Sequence, residues 1–226
     1  MSLLLHIESS KLSYSVALSR NSVCLSSEKS EDNNPTKGLN GLIASILEKN
    51  LVDVKDLNGI ALNIGPGSYT SLRAGLSISK GLSVALNIPI IALPNELILV
   101  NAAKIKTGME RIICLIEARP NNYLISIFDT NYQTLESEIV FNSNSDTLSN
   151  CLKSSLPAIF IGENLDIIET QSIDFEYIKQ EIKLEAQDLI MPATEQFQNQ
   201  KFVNKNSLVP RYFNEPKITI SKKTLT

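Results

Sequence analysis

The apolar positions of this chain change period several times, and each change marks an element. Leu3-Leu4-Leu5-His6-Ile7 is an apolar run broken only by a histidine, the pattern of a buried strand. Tyr14, Val16 and Leu18 then alternate with Ser13, Ser15 and Ser19, which predicts a half-buried strand. Arg20-Asn21-Ser22 reads as a turn, Val23-Cys24-Leu25 starts a third strand, and Glu31-Asp32-Asn33-Asn34-Pro35 is a polar loop. Leu39, Leu42, Ile43, Ile46 and Leu47 follow the spacing of an amphipathic helix. A strand over 60–64, a helix over 68–86, a strand over 89–93 and a helical segment over 95–106 complete this half. The second half predicts strands over 111–118, 123–129 and 134–141, a helix over 146–154 and a strand over 158–162. A weak helix, a strand at 175–178 and a helix around 194–202 follow.

The order strand-strand-strand-helix-strand-helix-strand thus occurs twice, the second copy eroded. It predicts an α/β protein of two tandem domains with mixed five-stranded sheets flanked by helices, related by duplication. The actin-like ATPase (ASKHA) superfamily, with its ribonuclease H-like domains, has this layout, an analogy of fold alone. The polar joint Lys106-Thr107-Gly108 sets the expected division. Residues 1–106 form a first actin-like domain, and residues 107–226 a second, eroded one with a basic C-terminal tail.

The 226 residues suffice for one large domain or two small ones. The net charge of -3 argues against a strong intrinsic nucleic-acid surface. One stretch runs against it: Lys201, Lys205, Arg211, Lys217, Lys222 and Lys223 face the single acid Glu215. That tail is either solvated or a weak contact to phosphate or to an acidic partner. Cys24, Cys114 and Cys151 lie far apart without a C-x-x-C pair, which points to a reduced compartment. No apolar stretch approaches a membrane span, and a cytoplasmic location without membrane contact is expected.

Few residues are equipped for chemistry. His6 is the single histidine, so no His-x-x-x-His metal pair exists, and a strand histidine is usually packed and hydrogen-bonded. No metal is expected in this chain. The most informative stretch is Gly65-Pro66-Gly67-Ser68-Tyr69-Thr70-Ser71-Leu72-Arg73, which joins a strand to a helix. Ser68 caps that helix and Thr70 lies in its first turn, so the loop is either a candidate anion site or a stiff structural connection. It lacks the Walker lysine, and Pro66 and Thr70 stand where a serine-hydrolase elbow needs glycines. Glu8-Ser9-Ser10 ends the first strand where actin-like ATPases have an Asp-x-Gly-Thr-like phosphate turn, and its glycine is missing. Glu117-Ala118-Arg119 ends a second-half strand, either facing the cleft or forming a local ion pair.

On the helix over 68–86, Leu72, Leu76, Leu82 and Leu86 share a face with Gly75, Ser79 and Ser83 that suits the sheet. Ala74, Ile78, Gly81 and Ala85 form a separate stripe of small apolar residues, while Arg73, Ser77 and Lys80 lie apart. The stripe packs either on the first helix of the same domain or on another subunit.

With these residues in place, the chain resembles the TsaB family, the dimerisation subunit of the bacterial tRNA threonylcarbamoyladenosine synthase, within the glycoprotease-like superfamily. The stretch 65–73, with Gly75, Lys80-Gly81-Leu82 and Ile88-Pro89, matches that family's central motif almost position for position. Leu4 to Glu8 with Ser9-Ser10, and Tyr14-Ser15-Val16-Ala17-Leu18, resemble its opening strands. Glu117-Ala118-Arg119 with Tyr123, and Val209-Pro210-Arg211-Tyr212, resemble later elements. Glu8 and Glu117 replace aspartates, Ser71 replaces a glycine, and Pro35-Thr36-Lys37 stands where the family has a histidine.

The resemblance implies a subunit with no catalytic residues and no cofactor of its own. It implies a heterodimer with the catalytic paralogue (TsaD-like) through first-domain helices, a further ATPase subunit (TsaE-like), and a homodimer when isolated. ATP and metal are expected in those partners, and tRNA is met only through the complex. The catalytic paralogue carries a His-x-x-x-His after the strand equivalent to 89–93, and that alignment puts Asn95 and Leu99 at the two positions. The rival reading is a stand-alone actin-like nucleotide hydrolase or small-molecule kinase. The glycoprotease activity suggested by the superfamily's label has no support in these residues.

Overall fold

A computed structural model of the chain describes residues 2–30, 32, 34–104, 107–152 and 155–213. In the first sheet, β1 (Leu3–Glu8) pairs antiparallel with β2 (Ser15–Arg20) and parallel with β4 (Gly59–Gly65). The strands β3 (Val23–Lys29) and β5 (Ile90–Pro94) form the edges, in the order β3-β2-β1-β4-β5. β1 is buried along its whole length, which explains why its apolar run does not alternate. The second sheet consists of β6 (Arg111–Arg119), β7 (Asn122–Asp129), β8 (Thr134–Asn142), β9 (Ala158–Gly162) and β10 (Tyr177–Glu181), in the order β10-β9-β6-β7-β8. Reading β6 to β10 as β1 to β5 gives the same strand order and the same sense at every pairing. The expected α/β class, with two mixed five-stranded sheets flanked by helices, is therefore present.

The helices are α1 (Pro35–Lys49), α2 (Tyr69–Leu86), α3 (Asn95–Ala102), α4 (Leu148–Leu152) and α5 (Ile190–Gln198). α1 begins on Pro35, whose missing N–H costs nothing at a helix start, and buries Leu39, Ile43, Ile46 and Leu47. α2 ends on Asn87, a left-handed cap whose N–H donates to the Ser83 carbonyl. α3 stops at Ala102, short of the helical segment expected over 95–106, and the expected joint residue Lys106 lies outside the described residues. α5 begins at Ile190, before the helix expected around 194–202, because Pro192 falls in its first turn and does not break it. The strand expected at 175–178 lies slightly later, over Tyr177–Glu181.

The helices do not respect the sequence halves. α3 packs Leu99 and Val100 against Ile112, Cys114, Ile159 and Ile161 of the second sheet. The chain's last helical region returns Leu189 and Ala193 to Leu4, Ala61 and Ile91 of the first sheet. A division at 106 and 107 thus separates the sheets but not the helices packed on them. The segment after α5 also lies on the first half: Val203 N donates to Ile90 O at 3.2 Å and Arg211 N to Ile64 O at 2.8 Å. This part of the basic tail is tied down by hydrogen bonds rather than solvated, while Lys217, Lys222, Lys223 and Glu215 lie outside the described residues.

Candidate functional site

β1 and β4 end side by side at the cleft between the two sheets, and their ends carry Glu8 and the Gly65-Pro66-Gly67 loop. Glu8, Ser9 and Ser10 are buried. Ser10 donates its backbone N–H and its hydroxyl to Glu8 Oε1 at 2.7 and 2.5 Å, and the Asn63 amide donates to Oε2. Burial pushes the Glu8 carboxyl up, against the opposing pull of the Ser10 and Asn63 hydrogen bonds and the Lys11 charge. The carboxylate and its own turn fill the place where a phosphate turn would need open N–H groups.

The loop after β4 is closed in the same way. Ser68 N donates to the Ser10 carbonyl at 2.6 Å. A Cβ on Gly67 would stand 2.0 Å from that same carbonyl oxygen, so only glycine allows the approach. Gly65 holds φ of +99°, and a Cβ there would meet the Arg211 carbonyl oxygen at 2.8 Å. The Ser68 hydroxyl accepts weakly from Ser71 N at 3.4 Å, capping α2 as expected. The amide best placed to hold an anion therefore already holds a carbonyl oxygen, which repels one. Pro66 contributes its carbonyl to Asn95 Nδ2 at 2.8 Å, and Thr70 is exposed on the outer surface.

α3 brings Asn95 and Leu99 to the cleft wall, where they stand with Glu8, Ser10 and Glu117. Leu99 is buried and offers no ligand atom, and Asn95 uses its amide on Pro66. The cleft cavity measures about 60 Å³; ligand pockets usually measure about 300–1,000 Å³. Lys11 bridges it to Glu163 at 2.5 Å. Glu117 faces the cleft and accepts from Asn164 at 3.4 Å rather than pairing with Arg119. His6 is buried, hydrogen-bonded to Ser19 Oγ at 2.7 Å, and burial pushes its pKa down to about 3, so it is neutral. Among the described residues, no group of three His, Cys, Asp or Glu side chains gathers as a metal site. Among them too, no helix is long and apolar enough to cross a membrane.

The outer face of α2 is open. Ser71, Leu72, Gly75, Leu76, Ser79 and Ser83 are its buried residues. Leu82 and Leu86, expected on the same buried face, are only half-buried against the first core. The structure divides the small-residue stripe. Ala74 and Ile78 are half-buried, Ile78 against that core, whereas Gly81 and Ala85 are exposed. A Cβ on Gly81 would meet nothing within 4 Å. Thr36 and Asn40 of α1 and Tyr69, Arg73, Ala74 and Ile78 of α2 border an outer groove of about 380 Å³.

Two constellations here join residues far apart in sequence, which no local pattern signals. Tyr212 stacks on Tyr69 with ring centroids 4.8 Å apart, beside Arg73. Arg211 pairs with Glu96 of α3 and with Glu138 of β8, the latter at 2.8 Å. Glu138 has φ of +61°, at a point where the β7–β8 register shifts.

A family model described as "TsaD: tRNA N6-adenosine threonylcarbamoyltransferase" matches residues 32–218. The tRNA threonylcarbamoyladenosine biosynthesis protein TsaB of Buchnera aphidicola subsp. Acyrthosiphon pisum (strain APS) is 35% identical over 118 residues, 52% of this chain and 53% of that protein. The protein of the same name from Escherichia coli (strain K12) is 31% identical over 78 residues, 34% of each. The matched stretches thus span about half or less of these relatives' length. A crystal structure of an uncharacterised Pseudomonas aeruginosa protein with similarity to the peptidase YeaZ superposes with a TM-score of 0.78 and 22% identity. It covers 95% of this chain and 100% of that one, a likeness of fold.

Proposed function

The chain belongs to the TsaD family of tRNA N6-adenosine threonylcarbamoyltransferases, and within it to the TsaB group, and from that premise we propose that it is a non-catalytic scaffold subunit. In this reading it binds a catalytic paralogue and supports threonylcarbamoyladenosine formation on tRNA beside the anticodon. An ATPase subunit completes the assembly, and ATP, metal and tRNA are handled by the partners or by the complex.

The observation that carries this reading is the filled cleft. Glu8 and the Ser10 carbonyl occupy the phosphate turn, and Asn95 and Leu99 stand on the wall that in the catalytic paralogue would present histidines. A nucleotide hydrolase or kinase would need that space open. The outer face of α2, with Ala74, Ile78, Gly81 and Ala85, is the proposed partner surface. The leucines nearest the sheet are buried, and an accessible apolar surface left beside a filled core marks an interaction site.

The test is association of the purified chain with the catalytic paralogue of its own organism, measured by sedimentation. A stable heterodimer is expected, and Gly81→Arg should fold normally and fail to form it. A wild-type chain that ignores the paralogue but turns over nucleotide alone overturns the proposal.

A further inference from the structure

The Arg73 guanidinium is held from two sides. It lies 3.8 Å from the centroid of the Tyr69 ring, and its Nε donates to the Tyr212 hydroxyl at 3.0 Å. Among the described residues, no carboxylate forms an ion pair with it. Arg73 is exposed and lies one turn into α2, close to the positive end of the helix dipole, where a cation is disfavoured. A flexible side chain ordered against the dipole and left without an acid is poised for an anion from outside the chain.

The charge around Arg73 has one sign. Residues 57–95, which include all of α2, contain Arg73 and Lys80 and no acidic residue. Residues 196–213, which run back over the first half, contain Lys201, Lys205 and Arg211 and again no acid. Lys205 donates to Ser83 O at 3.4 Å, which sets it along the Arg73 and Lys80 flank of α2. Arg211 is compensated by Glu96 and Glu138, but among the described residues Lys80 and Lys205 have no acidic partner. The whole chain carries -3, so this excess belongs to the face rather than to the composition.

We infer that the α2 face selects its occupant by charge, taking a helix of a different protein chain whose contact edge carries Asp or Glu side chains and turning away a second copy of itself. The inference rests on the reading of this face as the partner surface and adds the partner's chemistry. In a two-fold pairing the same patch meets itself, so Arg73, Lys80 and Lys205 of one copy would oppose those of the other. Like charges across an interface suppress that pairing. A homodimer of the isolated chain, implied by the resemblance, is then not built on this face. Tyrosine and arginine are the side chains that most often anchor interfaces. The small residues beside them let a helix backbone approach closely, which a nucleic-acid phosphate would not require.

The test compares binding of the catalytic paralogue to wild type, to Arg73→Glu/Lys80→Glu and to Gly81→Arg, at low and high salt. Wild-type affinity should fall about tenfold or more as salt rises, and the double variant should lose about as much at low salt. An equimolar mixture of wild type and double variant should form a complex that neither chain forms alone. Melting temperatures exclude unfolding, and Lys80→Glu, which takes no part in the tyrosine stack, carries the test if the double variant melts early. If Gly81→Arg blocks the paralogue while charge reversal does not, the partner surface stands and charge selection is overturned. If neither blocks it, both readings are overturned. If charge reversal spares the paralogue but weakens tRNA binding by the assembled complex, the face contacts phosphate and the inference also fails.

Discussion

Gly67 and Gly81 lie in one loop-helix unit, and the structure imposes opposite demands on them. Gly67 presses against the Ser10 carbonyl, with no room for a Cβ. Gly67→Ala should therefore displace backbone and destabilise the fold by about 2 kcal/mol or more. Gly81 has open space where a Cβ would go, so Gly81→Ala should stabilise the isolated chain by about 0.5–1 kcal/mol through helix propensity alone. Thermal melts of the two variants should shift in opposite directions, and shifts of the same sign would contradict this reading. His6 makes a separate prediction. Its pKa lies near 3 in the fold against 6.5 as a model value, so the unfolded chain binds more protons between those values. Its contribution is therefore complete above about pH 6.5 and is lost as pH falls toward 3, at up to about 1.4 kcal/mol per pH unit. His6→Gln should flatten the acid limb of stability measured by urea denaturation, and an unchanged slope would show that His6 does not titrate this way. The glycine turn was legible in the sequence because Gly-Pro-Gly marks a tight turn by itself. The Ser10 carbonyl that the turn clasps was not, since only tertiary pairing of β1 with β4 brings it there.

At the scale of elements, strands and helices followed from apolar spacing wherever burial was one-sided or complete. The spacing could not say which sheet a helix covers. α3 follows β5 in sequence yet packs on β6 and β9, and α5 returns to the first sheet, because those positions bury Leu99, Val100, Leu189 and Ala193. The tail was equally opaque: a row of lysines reads as solvated, yet Arg211 is set between Glu96 and Glu138. Glu96 is only 8% exposed, so Arg211→Ala should cost about 3 kcal/mol by leaving that carboxylate buried and unpaired. Adding Glu96→Gln should recover part of the loss in the same urea titration, because the uncharged amide is cheaper to bury. No recovery would mean that Arg211 acts through packing. The Glu138 pair is more exposed and should contribute little.

At the scale of the whole molecule, duplication has kept the architecture while this chain's cleft has closed. Two sheets of the same order enclose a cavity too small for a nucleotide, walled by Glu8, Asn95 and Leu99. The open surface lies outside, on α2. The repeat of element order and the central motif made this division readable from residues, whereas the sealing contacts at Ser10, Asn63 and Lys11 needed the fold. The central claim is that this chain supports a reaction it does not perform. It is tested most directly by measuring threonylcarbamoyladenosine on tRNA in a reconstituted mixture of the catalytic and ATPase partners, with wild type, with Gly81→Arg, or without this chain. The account predicts modification only with wild type, none from this chain alone, and a loss of about tenfold or more with Gly81→Arg. Full modification without this chain, or transfer by this chain alone, would contradict it.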